Sequence, residues 1–192
     1  MERTKYFLHG GATGRETERN KEFFREVVDS IDGDKACILL VYFARERNLW
    51  PVLFEEDKRK FQHAGAKTDA TKIEVSSQEK DKLTEQLRSA NIIFIRGGDT
   101  EILHKKMSEI KNLEDLLKGK VIAGSSAGAY IFCTYYYSNN ENVVKKGLGI
   151  LPIKLYAHYD DDQVDNFKRL EETGPDLPSL KVREADFLVQ YK

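Results

Sequence analysis

Cysteine is nearly missing from this chain. Cys37 and Cys133 are the only two among 192 residues, both in apolar surroundings and neither in a Cys-x-x-Cys pair. A structural disulfide is not expected, and a reducing, cytoplasmic setting is the default. Long apolar runs are missing too: none approaches the ~20 residues that a membrane span requires. The opening Met-Glu-Arg-Thr-Lys leads straight into a short strand pattern and lacks a signal-peptide core. Nor does one sign of charge dominate, since 31 Lys+Arg face 32 Asp+Glu for a formal net charge of −1. That balance excludes the global basic field of a non-specific nucleic-acid binder. The four prolines are scattered, and no repeat, low-complexity tract or Pro/Ser-rich linker divides the sequence. One domain spanning residues 1–192 is expected.

What the chain does have is a heavily charged surface composition, 33% against a usual ~25%, and 40% hydrophobic residues. Short apolar runs alternate with longer charged amphipathic stretches. Lys5–Gly10, Ala36–Ala44, Asn91–Ile95 and Lys120–Gly124 read as strands, the middle ones apolar nearly throughout, as strands buried on both faces are. Helices are expected over about Glu16–Ser30, Phe54–Ala64, the stretch from Ser76-Ser77 to Ser89, Glu101–Ile110 and Leu113–Leu117. A weaker strand at Lys72–Val75, a strand at Ile153–His158, a helix near Gln163–Thr173 and a final hairpin within Leu180–Tyr191 complete the expectation. This alternation implies an α/β fold: a doubly wound, mostly parallel sheet with helices on both faces. In such sheets the working site lies at the carboxyl ends of the strands. Three informative loops fall there: Gly10–Gly14, Arg96–Thr100 and Gly124–Gly128.

Gly124-Ser125-Ser126-Ala127-Gly128 is a G-x-S-x-G segment between an apolar strand and an apolar helix, the context of a nucleophile elbow. The third position projects from the sheet, so Ser126 rather than Ser125 is the candidate nucleophile, and the Ala127 amide at the helix start is a candidate oxyanion donor. Arg96-Gly97-Gly98-Asp99-Thr100 follows an adjacent strand; its paired glycines allow a backbone N–H to approach a reacting carbonyl, and Asp99 or Thr100 suits a helix cap. A serine nucleophile needs a base. Of the four histidines, His63 and His104 fall in charged helical stretches, His9 ends the first strand, and His158 ends a strand after the elbow; topology favours His158 over His9. The Asp160-Asp161-Asp162 run suits a solvated turn or cap better than a metal site, and the triple tyrosine Tyr135–Tyr137 suits the core. No Walker lysine-serine pair is present in either glycine loop.

Three linked segments in this order, Arg96–Thr100, Gly124–Ala129 and Gly147–Pro152 leading to His158, resemble the dipeptidase E and cyanophycinase group of serine peptidases. The resemblance runs from the first strand to about Asp162. It implies a three-layer sandwich related to class I glutamine amidotransferases, and hydrolysis of small peptides without metal or cofactor. It also implies Ser126 as nucleophile, His158 as general base, and Gly98 with Ala127 as oxyanion-hole amides. The third triad member would lie in the loop after the elbow helix, where Glu141 stands fifteen residues beyond Ser126. Arg96 and Asp99 are the expected substrate contacts. Arg96 replaces a glycine common in the group, and its guanidinium would suit a substrate carboxylate, so an acidic first residue is favoured. The expected partner is a small peptide rather than nucleic acid or membrane, with the protein a monomer or homodimer. Two other readings share the elbow: an α/β-hydrolase-type esterase, and a non-catalytic ligand-binding relative.

Overall fold

The structure, a computed structural model, describes residues 3–31, 36–65 and 72–192; Met1 and Glu2 of the opening pentapeptide lie outside them. In chain order the elements are β1 (Lys5–His9), α1 (Glu18–Asp29), β2 (Cys37–Val41), α2 (Trp50–His63), β3 (Lys72–Val75), α3 (Lys80–Ser89), β4 (Ile92–Ile95), α4 (Thr100–Ser108) and α5 (Leu113–Leu117). Then follow β5 (Val121–Ser125), α6 (Ala127–Tyr130), β6 (Cys133–Ser138), β7 (Val143–Lys146), β8 (Leu151–Ala157), α7 (Val164–Glu172), β9 (Ser179–Val182) and β10 (Phe187–Tyr191).

The six-stranded sheet has the order β10-β1-β5-β4-β2-β3 and is parallel except for β10. Its central strands are apolar on both sides because both faces are covered. Ile38 and Leu40 of β2 join Phe23, Phe24 and Phe61 of α1 and α2 in one cluster, whereas Leu39 and Val41 join residues of α3, α4 and α5 in the other. The expected α/β sandwich is thus the architecture of this sheet. Phe23 is fully buried at the centre of the α1 side, with Phe7, Phe24, Phe94 and Phe187 ring centroids at 5.1–6.4 Å.

A second, four-stranded sheet, β7-β6-β8-β9, is where the structure departs from the sequence reading. The elbow helix is only one turn, and the tyrosine run continues as β6. Tyr136 and Tyr137 are buried there, as a core role requires, and Tyr137 packs with Tyr156 of β8, Tyr159 and Leu170 of α7. The expected terminal hairpin does not form. β9 pairs in parallel with β8, while β10 crosses to the large sheet and pairs antiparallel with β1. Adjacent strands in sequence suggested adjacency in space, but each finds its hydrogen-bonding edge in a different sheet. Residues 183–186 are therefore the crossing between sheets, a placement that decides the chemistry below.

Phe23→Ala removes the ring on which four others converge. It should lower stability by about 3–5 kcal/mol, measured by urea denaturation, while leaving the secondary structure content unchanged.

Candidate active site

β1 and β5 run in parallel register with His9 opposite Ser125, so both strands end at one level. The chain turns sharply after β5: Ser126 sits at φ 52°, ψ −112°, outside the regions open to ordinary residues. Its N–H donates to the His9 carbonyl at 2.9 Å, and its carbonyl accepts from Ala129 and Tyr130, starting α6. The strain of this turn is held by the sheet on one side and the helix on the other. Ser125 ends β5, 3% exposed, as expected for the residue that does not project.

His158 follows β8, also at positive φ (57°), and its N–H donates to the Gly10 carbonyl at 3.0 Å. Its Nε2 lies 2.8 Å from Ser126 Oγ, so the structure brings together the two side chains that the sequence singled out. Tyr130 fixes the end of β8: its hydroxyl donates to the Ala157 carbonyl and accepts from the Ala157 N–H.

The carboxylate at this imidazole is Glu184, not Glu141. Glu184 Oε1 is 2.9 Å from His158 Nδ1, and Oε2 is 2.6 Å from Arg15 Nη2. The hydrogen bond from His158, then the charge of Arg15, hold its carboxyl below the usual range even though burial works the other way. Glu141 sits instead on the β6–β7 turn, half exposed, with its carboxylate 2.5 Å from Lys145 Nζ. The polar segment read as a loop returning to the site is the tip of a hairpin in the second sheet. Asp160 and Asp161 are occupied as well: Asp160 caps the turn at 161–163 and Asp161 pairs with Arg183 at 2.5 Å.

Ser126 and His158 open into a cavity of about 210 Å³ whose lining includes Ala12, Gly14, Arg45, Arg96 and Gly98. The Gly97-Gly98 turn crowds the elbow, for a Cβ on Gly97 would stand 2.9 Å from Ser126 Cβ. Neither the Gly98 nor the Ala127 N–H donates to another group among the described residues.

The two expected substrate contacts are otherwise engaged. Arg96 is 7% exposed, with Nη1 3.0 Å from Asp57 Oδ1 and Nη2 3.0 Å from both oxygens of Glu56. Burial pushes the Asp57 carboxyl up to about 6, opposed by Arg96 and by the Tyr42 hydroxyl donating to its other oxygen. Both carboxylates come from α2, whose buried and partly buried charges are invisible in a sequence read one segment at a time. Asp99 caps α4, accepting from the Glu101 and Ile102 amides at 2.9 and 3.0 Å. Arg45 was not singled out from the sequence. It borders the same cavity, donates through Nε to the Gly97 carbonyl at 2.5 Å, and has no ion pair to a described residue.

His9, the rival base, lies fully buried beneath the elbow. Asn20 donates through Nδ2 to the Ala12 and Arg15 carbonyls, so its Oδ1 accepts from His9 Nε2 at 2.8 Å. His9 Nδ1 accepts from the Gly11 amide, which fixes a neutral tautomer. Burial is the main cause that brings this imidazole down to about 4.

Fold and site together define an α/β protein with a serine, an imidazole and a carboxylate in line at the sheet's carboxyl edge. Two solved structures share the fold. A peptidase from an acI-B1 Actinobacterium superposes with a TM-score of 0.70 at 18% identity, covering 97% of this chain and 82% of that one. A putative peptidase E protein from Listeria monocytogenes EGD-e gives 0.64 at 16% identity, covering 99% and 98%. The model of peptidase family S51 matches residues 6–188, and the chain belongs to that family. A probable alpha-aspartyl dipeptidase of Drosophila melanogaster is 30% identical over 118 residues, 52% of this chain; the match spans about half (49%) of that relative's length. Among the described residues no helix is long and apolar enough to cross a membrane.

His9 makes stability pH-dependent. Its folded value is depressed from about 6.5 to about 4, so between these the unfolded chain binds the extra proton and stability falls as pH falls. From pH 7 to pH 4 the loss from this site is up to about 3 kcal/mol. Urea titrations at the two pH values should show a shallower acid loss in His9→Gln than in the wild type.

Proposed function

We propose that this chain is a serine hydrolase that cleaves short peptides, with Ser126, His158 and Glu184 as its triad. The observation that carries the reading is the line from Ser126 Oγ to His158 Nε2 at 2.8 Å and from His158 Nδ1 to Glu184 at 2.9 Å. A carboxylate on Nδ1 selects the tautomer with the proton there, leaving the Nε2 lone pair for the serine hydroxyl. Ser126 Oγ attacks the peptide carbonyl while its proton passes to Nε2, and Glu184 stabilises the imidazolium. The tetrahedral oxyanion takes hydrogen bonds from the Gly98 and Ala127 amides. Collapse breaks the C–N bond as Nε2 returns the proton to the leaving amine. Water, deprotonated by the same nitrogen, then hydrolyses the acyl-serine and frees the enzyme.

The substrate reading is a short peptide with a free amino terminus and an acidic first residue. It is supported by the named activity of the Drosophila relative and by Arg45 beside the cavity. Arg45 replaces Arg96 in this role because both guanidinium nitrogens of Arg96 that face acids are already bonded. A guanidinium with its terminal nitrogens free is suited to bidentate pairing with a carboxylate.

A fluorophosphonate probe should give one adduct, on Ser126. Glu184→Gln should lower kcat roughly 10²–10⁴-fold with little change in KM, as removal of a triad carboxylate does elsewhere, whereas Glu141→Gln should stay near wild type. Comparable losses in the two variants would mean that the carboxylate is misassigned.

A dipeptide panel tests the specificity. Asp-Leu should be preferred over Leu-Leu, and Arg45→Ala should erase that preference chiefly through KM. Equal rates on both substrates in wild type, unchanged in Arg45→Ala, would remove Arg45 from substrate reading.

A further inference from the structure

A cleft of about 460 Å³, separate from the cavity at Ser126, lies between α1 and α2 and is within the size range of small-molecule sites. Arg15, Lys21 and Arg25 line one wall, and Arg59, Lys60 and His63 the other; Glu16 is the one carboxylate among its lining residues. In a chain with net charge −1, so many cations around one hollow form a local field that focuses anions. Three of them have acidic partners: Arg15 with Glu184, Lys21 with Glu18 and Lys60 with Glu56. Arg25 and Arg59 have neither an ion pair nor a side-chain hydrogen bond to a described residue, so two guanidinium forks face the cleft from opposite walls. Buried Phe24 supplies apolar surface at its base.

The cleft shares a wall with the active site. Asn20 and Lys60 line it, and both grip the far side of residues 12–15: Asn20 through the Ala12 and Arg15 carbonyls, Lys60 through the Thr13 carbonyl at 2.7 Å. The same Ala12, Thr13 and Gly14 line the catalytic cavity. Arg15 reaches from the cleft to Glu184 at 2.6 Å.

We propose that this cleft binds a small anion carrying a condensed phosphate, a di- or triphosphate group, between Arg25 and Arg59, and that its occupancy is transmitted to His158 through Arg15 and Glu184. Arginine forks match phosphate oxygens in geometry as well as charge, and a diphosphate has enough acceptors to engage both walls at once. A bound anion competes with Glu184 for Arg15. The carboxylate then faces His158 with less of its charge balanced, and the proton on the imidazole is held more tightly. The charged and titratable groups near that ring are Glu184, Arg15, Ser126 and buried neutral His9, with Arg45 and Arg96 lining the same cavity. Binding itself does not depend on Ser126 being a nucleophile.

Inorganic pyrophosphate titrated calorimetrically into the full chain is the test, with citrate as a carboxylate polyanion for comparison. One saturable site is expected, weakened at least tenfold in Arg25→Gln/Arg59→Gln, with the variant's thermal melt confirming that it folds. Citrate should bind at least tenfold more weakly. If the double variant does not fold, Arg59→Gln alone carries the same expectation of weakened binding. In pyrophosphate-saturated wild type the His158 ring titration, followed by NMR, should move to higher pH. Absence of saturable binding, equal affinity in the folded variant, or equal affinity for citrate would overturn the site. An unmoved His158 titration at saturation would overturn its link to the triad.

Discussion

Three consecutive residues at the carboxyl end of β1 hold the candidate active site together. The His9 carbonyl accepts from the Ser126 amide, the Gly10 carbonyl from His158, and the Gly11 carbonyl from Ala185, next to Glu184. Each of the three side chains of the proposed triad thus hangs from, or beside, a backbone bond to one short stretch, although they are far apart in sequence. Gly11 is held to its identity by this closeness. Its φ is +114°, and a Cβ there would lie 2.1 Å from Cε1 of the His158 ring. Any side chain would displace the imidazole from both its partners.

That arrangement explains why positive φ recurs around the site. Ser126, His158 and Ala185 are all non-glycine residues in this region, each costing on the order of 1–3 kcal/mol. Such conformations persist only where the surroundings over-determine them. Here the surroundings are a strand end whose register with β5 is fixed along its whole length, and an apolar core packed on both faces of the sheet. Core packing and site geometry are one problem in this fold. The sheet must be rigid because three turns are bent against it.

The large sheet was legible in the sequence because its strands are buried on both faces and so read as unbroken apolar runs, bounded by glycine turns. The elbow was legible because small residues cluster where strand and helix backbones meet, and His158 because it ends a strand. Glu184 was not. It lies in Val182-Arg183-Glu184-Ala185-Asp186, an ordinary charged turn whose importance comes only from β9 and β10 belonging to different sheets. Pairing between non-consecutive strands is a long-range property, and local patterns suggested a hairpin. The ion pairs of Arg96 were not legible for a related reason: its partners, Glu56 and Asp57, belong to a helix some forty residues earlier. Polar residues on such a helix look like a solvated face until the fold brings an arginine against them.

The Arg96 cluster also bears on how the Gly97-Gly98 turn is held. A buried ion pair is a poor source of net stability, because desolvating both charges offsets most of their attraction. Its geometry, however, is directional. Arg96 spans from the end of β4 to α2 with two carboxylates in fixed positions, Tyr42 donates to the far oxygen of Asp57, and Lys60 ties Glu56 to the Thr13 carbonyl. Arg45 closes the set by donating to the Gly97 carbonyl. A hydrophobic replacement would fill the same volume without fixing these directions. The Gly97-Gly98 turn and the 12–15 segment, two walls of the cavity at Ser126, are thereby anchored to one helix. Preorganised amides stabilise an oxyanion only if they need not move to meet it, and in the proposed mechanism this network holds the turn that carries the Gly98 amide.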